Sequence, residues 1–306
     1  MDANHSEMLA PTARSAVAVA RAPRSSLDDL PRPVAVVVSG GGVLGAAHAG
    51  VGYALEQRGF VPDLIVGTSV GALTGAVGAA HPHDAAQRLQ DVWVGLSRRD
   101  VFPVGYFPAR TSVCGDRGLR RLIERADVPA RIEQLPVPFV AVATDLATGD
   151  EVTLDHGNLT TALLASTAIP GILPPVERDG RTLVDGGVVS CVPVRAARLA
   201  GAASVLVLTT GAWTPDGGAL RGRSATAVAL RAYRLRLQDQ VRRDLREVAT
   251  AVPTVVLPTG VDAWPAAWDF DHSQRLIRTA YETACRFLDD LRIDGPGLYT
   301  TTERAR

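Results

Sequence analysis

The pentapeptide Gly67-Thr68-Ser69-Val70-Gly71 constrains this chain more than any other stretch. It closes the apolar run Asp63-Leu64-Ile65-Val66 and opens the small-residue run Ala72-Leu73-Thr74-Gly75-Ala76-Val77. That order reads as strand, sharp turn and helix, with a serine at the apex. Glycines flank a nucleophilic serine in such an elbow because side chains there would clash in the strained turn. The turn lifts the hydroxyl above the carboxyl end of the strand and aims a helix N-terminus at it. Alone, the pentapeptide admits a second reading, a Gly-rich turn whose serine merely caps a helix.

The residues upstream set the elbow in a larger unit. Val34 to Val38 is a β-branched run of the kind found in buried parallel strands. Gly40-Gly41-Gly42 breaks it. A helix is expected from about Gly45 to Arg58, with Ala47, Val51, Ala54 and Leu55 on one face and Gly59 as its stop. Strand, helix and strand make a βαβ unit, so the two strands are expected to be parallel with a right-handed crossover. The Gly40–Gly45 loop and Ser69 then lie on the same edge of the sheet. Residues 33–55 carry no Asp, Glu or Arg. The glycines at 40, 41, 42, 45, 50 and 52 nevertheless mark a buried strand, a loop and a helix rather than a membrane span.

Composition narrows the function classes. The chain has 306 residues with 32 basic and 32 acidic side chains, so no basic excess points to nucleic acid. Every one of those basic residues is Arg. A Lys nucleophile or phosphate-binding Lys is therefore excluded. Cys114, Cys191 and Cys285 are far apart and form no Cys-x-x-Cys pair, which argues against a zinc site or a disulfide framework and for a reducing, cytoplasmic setting. No convincing signal peptide is visible. We expect a flexible tail over residues 1–31, one domain over 32–295 and a loose tail over 296–306. Within the domain, strands are expected at 138–144, 151–154, 204–208 and 254–257. Helices are expected at 84–96, 158–168 and 273–291, with another beginning at Cys114. The aromatic segment 101–108 reads as a core-packed connection or as a wall over a cleft. The longest helix, 220–252, carries the stripe Leu230, Leu237, Val241, Leu245 and Val248. Its Arg-rich faces are either solvated or touch anionic headgroups.

Two further glycine-marked sites accompany the elbow. Gly40-Gly41-Gly42-Val43-Leu44-Gly45 matches the Gly-x-Gly-x-x-Gly pattern of dinucleotide binding. That pattern also wants an acid at the carboxyl end of the second strand, and Asp63 precedes the strand instead. The loop fits better as a source of backbone N–H groups for an oxyanion beside Ser69. Asp185-Gly186-Gly187 is either a hairpin turn or the site of a base. Only His272 follows Asp185 in the chain order of an α/β-hydrolase triad. A desolvated carboxylate within hydrogen-bond reach of the serine is chemically sufficient without it.

With the Pro-rich connection Ala168 to Pro175, these three stretches resemble the patatin-like phospholipase family. The resemblance rests on the loop Gly40 to Val51, the elbow Gly67 to Gly71, the Pro-rich connection Ala168 to Pro175, and Asp185-Gly186-Gly187, in family order. It covers about residues 33–210. The resemblance implies a three-layer α/β/α sandwich with a largely parallel central sheet. It also implies a Ser–Asp dyad without a catalytic His, acyl-ester hydrolysis of lipids through an acyl-serine intermediate, and no metal or cofactor. Ser69 would be the nucleophile and Asp185 the base. The oxyanion hole would draw on Gly40, Gly41, Gly42, Val43 and Gly45, with support from Gly67, Gly71, Gly186 and Gly187. The substrate would be a lipid or phospholipid ester, met in peripheral contact with a membrane. Leu44 departs from the family, which usually carries Arg or Lys there. Three readings are open: an active acyl hydrolase, a patatin-fold lipid-binding or regulatory protein with weak or lost catalysis, and a dinucleotide-binding enzyme.

Overall fold

The computed structural model describes residues 26–102, 111–210, 224–261 and 269–301. The elbow region folds as its pattern requires. Strand β1 (Val34–Val38) leads through a 3-10 turn (Gly42–Gly45) into helix α1 (Ala46–Glu56), then strand β2 (Leu64–Thr68) and helix α2 (Val70–Ala80). The two strands pair in parallel, Val36 opposite Ile65. Helices α3 (Ala85–Gly95), α4 (Arg98–Val101) and α5 (Arg117–Arg125) come next. Strand β3 (Phe139–Asp145) pairs antiparallel with β4 (Glu151–Leu154) as a hairpin. Then come α6 (Leu159–Ser166), the hairpin β5 (Val176–Arg178) and β6 (Arg181–Asp185), α7 (Val194–Leu199) and β7 (Ser204–Leu208). The chain continues as α8 (Ala225–Ala249), β8 (Pro253–Leu257), α9 (Ser273–Asp290) and β9 (Gly297–Tyr299).

Strands β3, β2, β1, β7, β8 and β9 form a parallel array. Alternation along β1 assigns the layers, because successive side chains point to opposite faces. Val34, Val36 and Val38 pack with α1, α2 and α9. Ala35 and Val37 pack with α7 and α8. The outcome is a three-layer α/β/α sandwich, as expected. Residues outside the expected domain also belong to it. Leu27 and Leu30 are buried in the core, so the fold begins before residue 32. Gly297–Tyr299 pairs with β8 where a loose tail was expected, because the parallel edge of β8 offers unpaired main-chain groups.

Strand β3 sets the position of the site through its register. Residues 141 and 142 pair with both β2 and β4, so those strands lie on opposite edges of β3. Residues 143 and 144 pair with both β4 and β6, so β6 shares the β2 edge. Strand β2 ends on that edge at Thr68 opposite Val142, and antiparallel β6 ends at Asp185 opposite Ala143. The two carboxyl ends therefore abut.

Candidate active site

The abutting strand ends bring Ser69 and Asp185 together across 116 residues of sequence. Ser69 Oγ donates to Asp185 Oδ2 at 2.6 Å. Ser69 holds φ 55° and ψ −127°, a conformation that costs a non-glycine residue roughly 1–3 kcal/mol. The surroundings enforce it. A Cβ on Gly71 would stand 2.1 Å from the Val38 carbonyl, and one on Gly67 would stand 2.4 Å from the Gly71 carbonyl. The turn can close only with glycine at both places. Ser69 N–H donates to Ser166 Oγ at 2.9 Å, and Ser166 Oγ donates to the Val142 carbonyl at 2.6 Å.

Asp185 is equally constrained. Its Oδ1 accepts from Gly187 N–H at 2.7 Å, and its carbonyl accepts from Thr144 Oγ1 at 3.0 Å. A Cβ on Gly186 would stand 2.3 Å from the Val142 carbonyl. The carboxyl group is buried. Burial pushes its pKa up from 3.8 to about 6, against the lowering effect of the bonds from Ser69 and Gly187. The turn after it is braced from α8, where Tyr233 OH donates to the Gly187 carbonyl at 3.2 Å and Gln240 donates to the Val189 carbonyl.

The glycine loop divides in two. Gly40 N–H donates to the Cys191 carbonyl at 2.8 Å, so that amide is already committed. Gly45 is a packing residue, since a Cβ there would stand 2.5 Å from the Val70 side chain. Gly41, Gly42 and Val43 line the same cavity as Ser69, whereas Gly40 and Gly45 do not. Gly42 holds φ +58°, which L side chains rarely adopt. Among the described residues, no acceptor pairs with the amides of Gly41, Gly42 or Val43.

That cavity has a volume of about 550 Å³ and runs between α2, α3, α5 and α6. Along α2 its wall passes from Ser69 through Leu73 to Val77, a rise of about 12 Å at 1.5 Å per residue. Leu89, Trp93, Leu119, Ile123 and Leu173 complete a largely apolar bore, with Arg88, Asp91 and Arg125 also on its lining. Val101 and Phe102, from the aromatic segment, are buried and line it too. Residues 103–108 of that segment lie outside the described residues.

The alternatives lose their supports. Asp63 Oδ2 accepts from Val34 N–H at 2.6 Å, at the amino end of β1 and remote from any ribose site beyond the strands. His272 pairs with Asp269. His48 is buried with its pKa pushed down to about 3, so it is neutral, and its Nδ1 stands 3.5 Å from Thr74 Oγ1. Among the described residues, no cluster of His, Cys, Asp or Glu could hold a metal ion, and no helix is long and apolar enough to cross a membrane.

A family model described as "Patatin-like phospholipase" matches residues 36–198. The chain belongs to the patatin-like phospholipase family. An uncharacterised NTE family protein of Mycobacterium tuberculosis is 38% identical over 165 residues, covering 53% of this chain and 44% of the relative. Patatin-like phospholipase domain-containing protein 6 of Mus musculus is 33% identical over 184 residues, covering 58% of this chain and 13% of the relative. The chain thus spans less than half the length of these relatives. Among solved structures, VipD from Legionella pneumophila aligns at 12% identity and TM-score 0.43, over 85% of this chain and 67% of that one.

Within this patatin-like phospholipase domain, Leu44 has no exposure and packs against Ala46, Ala49, Leu89 and Trp93. Its side chain belongs to the core and not to the cavity lining. Arg234, on α8, does line the cavity together with Ser69, Gly41 and Gly42. Sequence reading missed Arg234, Ser166, Thr144 and Tyr233. No local pattern marks any of them, because each acts through a contact made across the fold.

Proposed function

We propose that this protein is a serine acyl hydrolase that cleaves lipid acyl esters by a Ser69–Asp185 dyad. The observation that carries the reading is the 2.6 Å bond from Ser69 Oγ to Asp185 Oδ2 beside an apolar cavity suited to an acyl chain. With the chain in the bore, the ester carbonyl lies against Ser69. Asp185 takes the hydroxyl proton as Oγ attacks the carbonyl carbon. The oxyanion is held by the amides of Gly41, Gly42 and Val43, helped by the α2 N-terminus beside Ser69. Collapse breaks the bond to the alcohol, which leaves with the proton from Asp185. Water then attacks the acyl-serine with Asp185 again as base; the acyl–Oγ bond breaks, Ser69 Oγ takes back the proton from Asp185, and the fatty acid departs. Neither step requires a metal or cofactor. Arg234 supplies a cation in the same cavity, a role that position 44, turned into the core, does not fill.

The test is hydrolysis of nitrophenyl esters and phospholipid by purified protein, together with fluorophosphonate labelling of Ser69. Ser69→Ala should abolish both turnover and labelling. Asp185→Asn should lower kcat by about a thousand-fold or more. Turnover retained in Ser69→Ala would overturn the dyad. A native protein that neither labels nor turns over would favour a lipid-binding role instead.

A further inference from the structure

Three consecutive glycines, Gly40, Gly41 and Gly42, leave the loop beside Ser69 without a conformational preference of its own. Glycine populates both signs of φ, so the chain itself does not fix which way the Gly40–Gly41 peptide faces. That peptide is trans, and in a trans peptide the carbonyl and the N–H point in opposite directions. Whatever holds the Gly40 carbonyl therefore aims the Gly41 N–H.

Two buried hydroxyl groups hold it. Thr210 Oγ1 and Ser39 Oγ each donate to the Gly40 carbonyl at 3.1 Å. Ser39 adjoins Gly40 in the chain and moves with the loop, so Thr210 is the anchor supplied from outside it. Strand register brings Thr210 there. Leu208 of β7 stands opposite Val38 of β1, and Ser39 N–H donates to the Leu208 carbonyl at 3.0 Å. Two residues beyond each partner, Thr210 meets Gly40. The Thr210 side chain also lies under the next residue, since a Cβ on Gly41 would stand 2.3 Å from its Oγ1. Ser69 is close to the same peptide, since a Cβ on Gly40 would stand 3.5 Å from Ser69 Cβ. With the carbonyl drawn to Thr210, the Gly41 N–H faces away from it. Gly41 lines the Ser69 cavity, and Thr210 does not.

We infer that Thr210 is the positioning residue of the oxyanion hole. Its hydroxyl holds the Gly40 carbonyl and so directs the Gly41 amide at the carbonyl oxygen of an ester on Ser69. The inference rests on the proposed ester hydrolysis and adds to it a residue that never touches the substrate.

Thr210→Val and Thr210→Ser test it. Valine keeps the shape and removes the hydroxyl, whereas serine keeps the hydroxyl and removes the methyl group. Thr210→Val should lower kcat for a nitrophenyl ester by about tenfold or more at unchanged KM, because the amide is lost to the transition state alone. The Ki of an alkyl trifluoromethyl ketone, which becomes an oxyanion when Ser69 adds to it, should rise by the same factor. Thr210→Ser should restore both. Full kcat in Thr210→Val, or a loss that Thr210→Ser does not restore, would overturn the inference and leave hydrolysis standing. The orientation is also read without turnover, from the carbonyl-carbon resonance of Gly40 and the amide-nitrogen resonance of Gly41. Both should move in Thr210→Val and return in Thr210→Ser. An inactive native protein whose resonances behave in this way would refute hydrolysis and support the aimed amide. Resonances that stay in place in Thr210→Val would overturn it.

Discussion

Ser166 holds the main chain of Ser69 in place: its hydroxyl accepts from Ser69 N–H at 2.9 Å and donates to the Val142 carbonyl at 2.6 Å. The serine of α6 thereby ties the elbow to β3, the strand that sets the dyad register. Ser166→Ala leaves a main-chain donor and an acceptor without partners, a loss of about 1–3 kcal/mol. We expect a Tm lower by several degrees and slower fluorophosphonate labelling of Ser69. Thermal unfolding and labelling rates check this. An unchanged labelling rate would show that the strained turn holds itself.

As the proposed base, Asp185 must be ionised to take a proton, and burial raises its pKa to about 6. The kcat/KM of ester hydrolysis should therefore rise through about pH 6 and level off above it. The stability sign is opposite. A carboxyl whose pKa is raised in the folded state stabilises the fold below about pH 4, and that contribution is lost as pH rises to about 6. Asp185→Asn removes the penalty of a buried charge. At pH 8 the variant should be inactive and at least as thermostable as the native protein, as read by Tm against pH.

Position 44 offers a direct test of the family departure. Leu44 has no exposure and sits among apolar side chains. Leu44→Arg places an unpartnered charge in the core, a loss of about 3 kcal/mol or more. Lower Tm and no gain in turnover are expected. A gain in kcat at unchanged Tm would show that the long side chain turns to the oxyanion loop.

Under the proposed hydrolysis, the bore along α2 sets acyl-chain length. Val77 lies about 12 Å along the helix from Ser69, by the rise per residue. Val77→Trp fills the bore at that depth. The ratio of kcat/KM for long-chain over butyrate nitrophenyl esters should fall by about tenfold, since each methylene excluded from an apolar site forfeits about 0.8 kcal/mol. An unchanged ratio would place the acyl chain elsewhere.

Much of this protein is legible locally. The elbow, the glycine loop and Asp185-Gly186-Gly187 could be read from the sequence because each is a tight turn, and tight turns demand glycine at particular places. Gly67 and Gly71 show why, with carbonyl oxygens standing where their side chains would be. The βαβ order likewise carried the parallel pairing of the first two strands. What no local pattern carries is pairing at a distance. Gly40 and Gly45 look like their neighbours in the loop, yet one amide is committed to Cys191 and the other position is filled by Val70 packing. Leu44 is defined as core only by α1, α3 and α9 closing over it. The dyad itself depends on β3, whose edge receives β2 up to Val142 and β6 from Ala143. A shift of one residue in the β3–β6 register would turn Asp185 to the opposite face of the sheet. The sequence by itself determined which residues can make the chemistry, through turn stereochemistry. Tertiary structure decided that Ser69 and Asp185 meet, because only strand register places two distant side chains 2.6 Å apart.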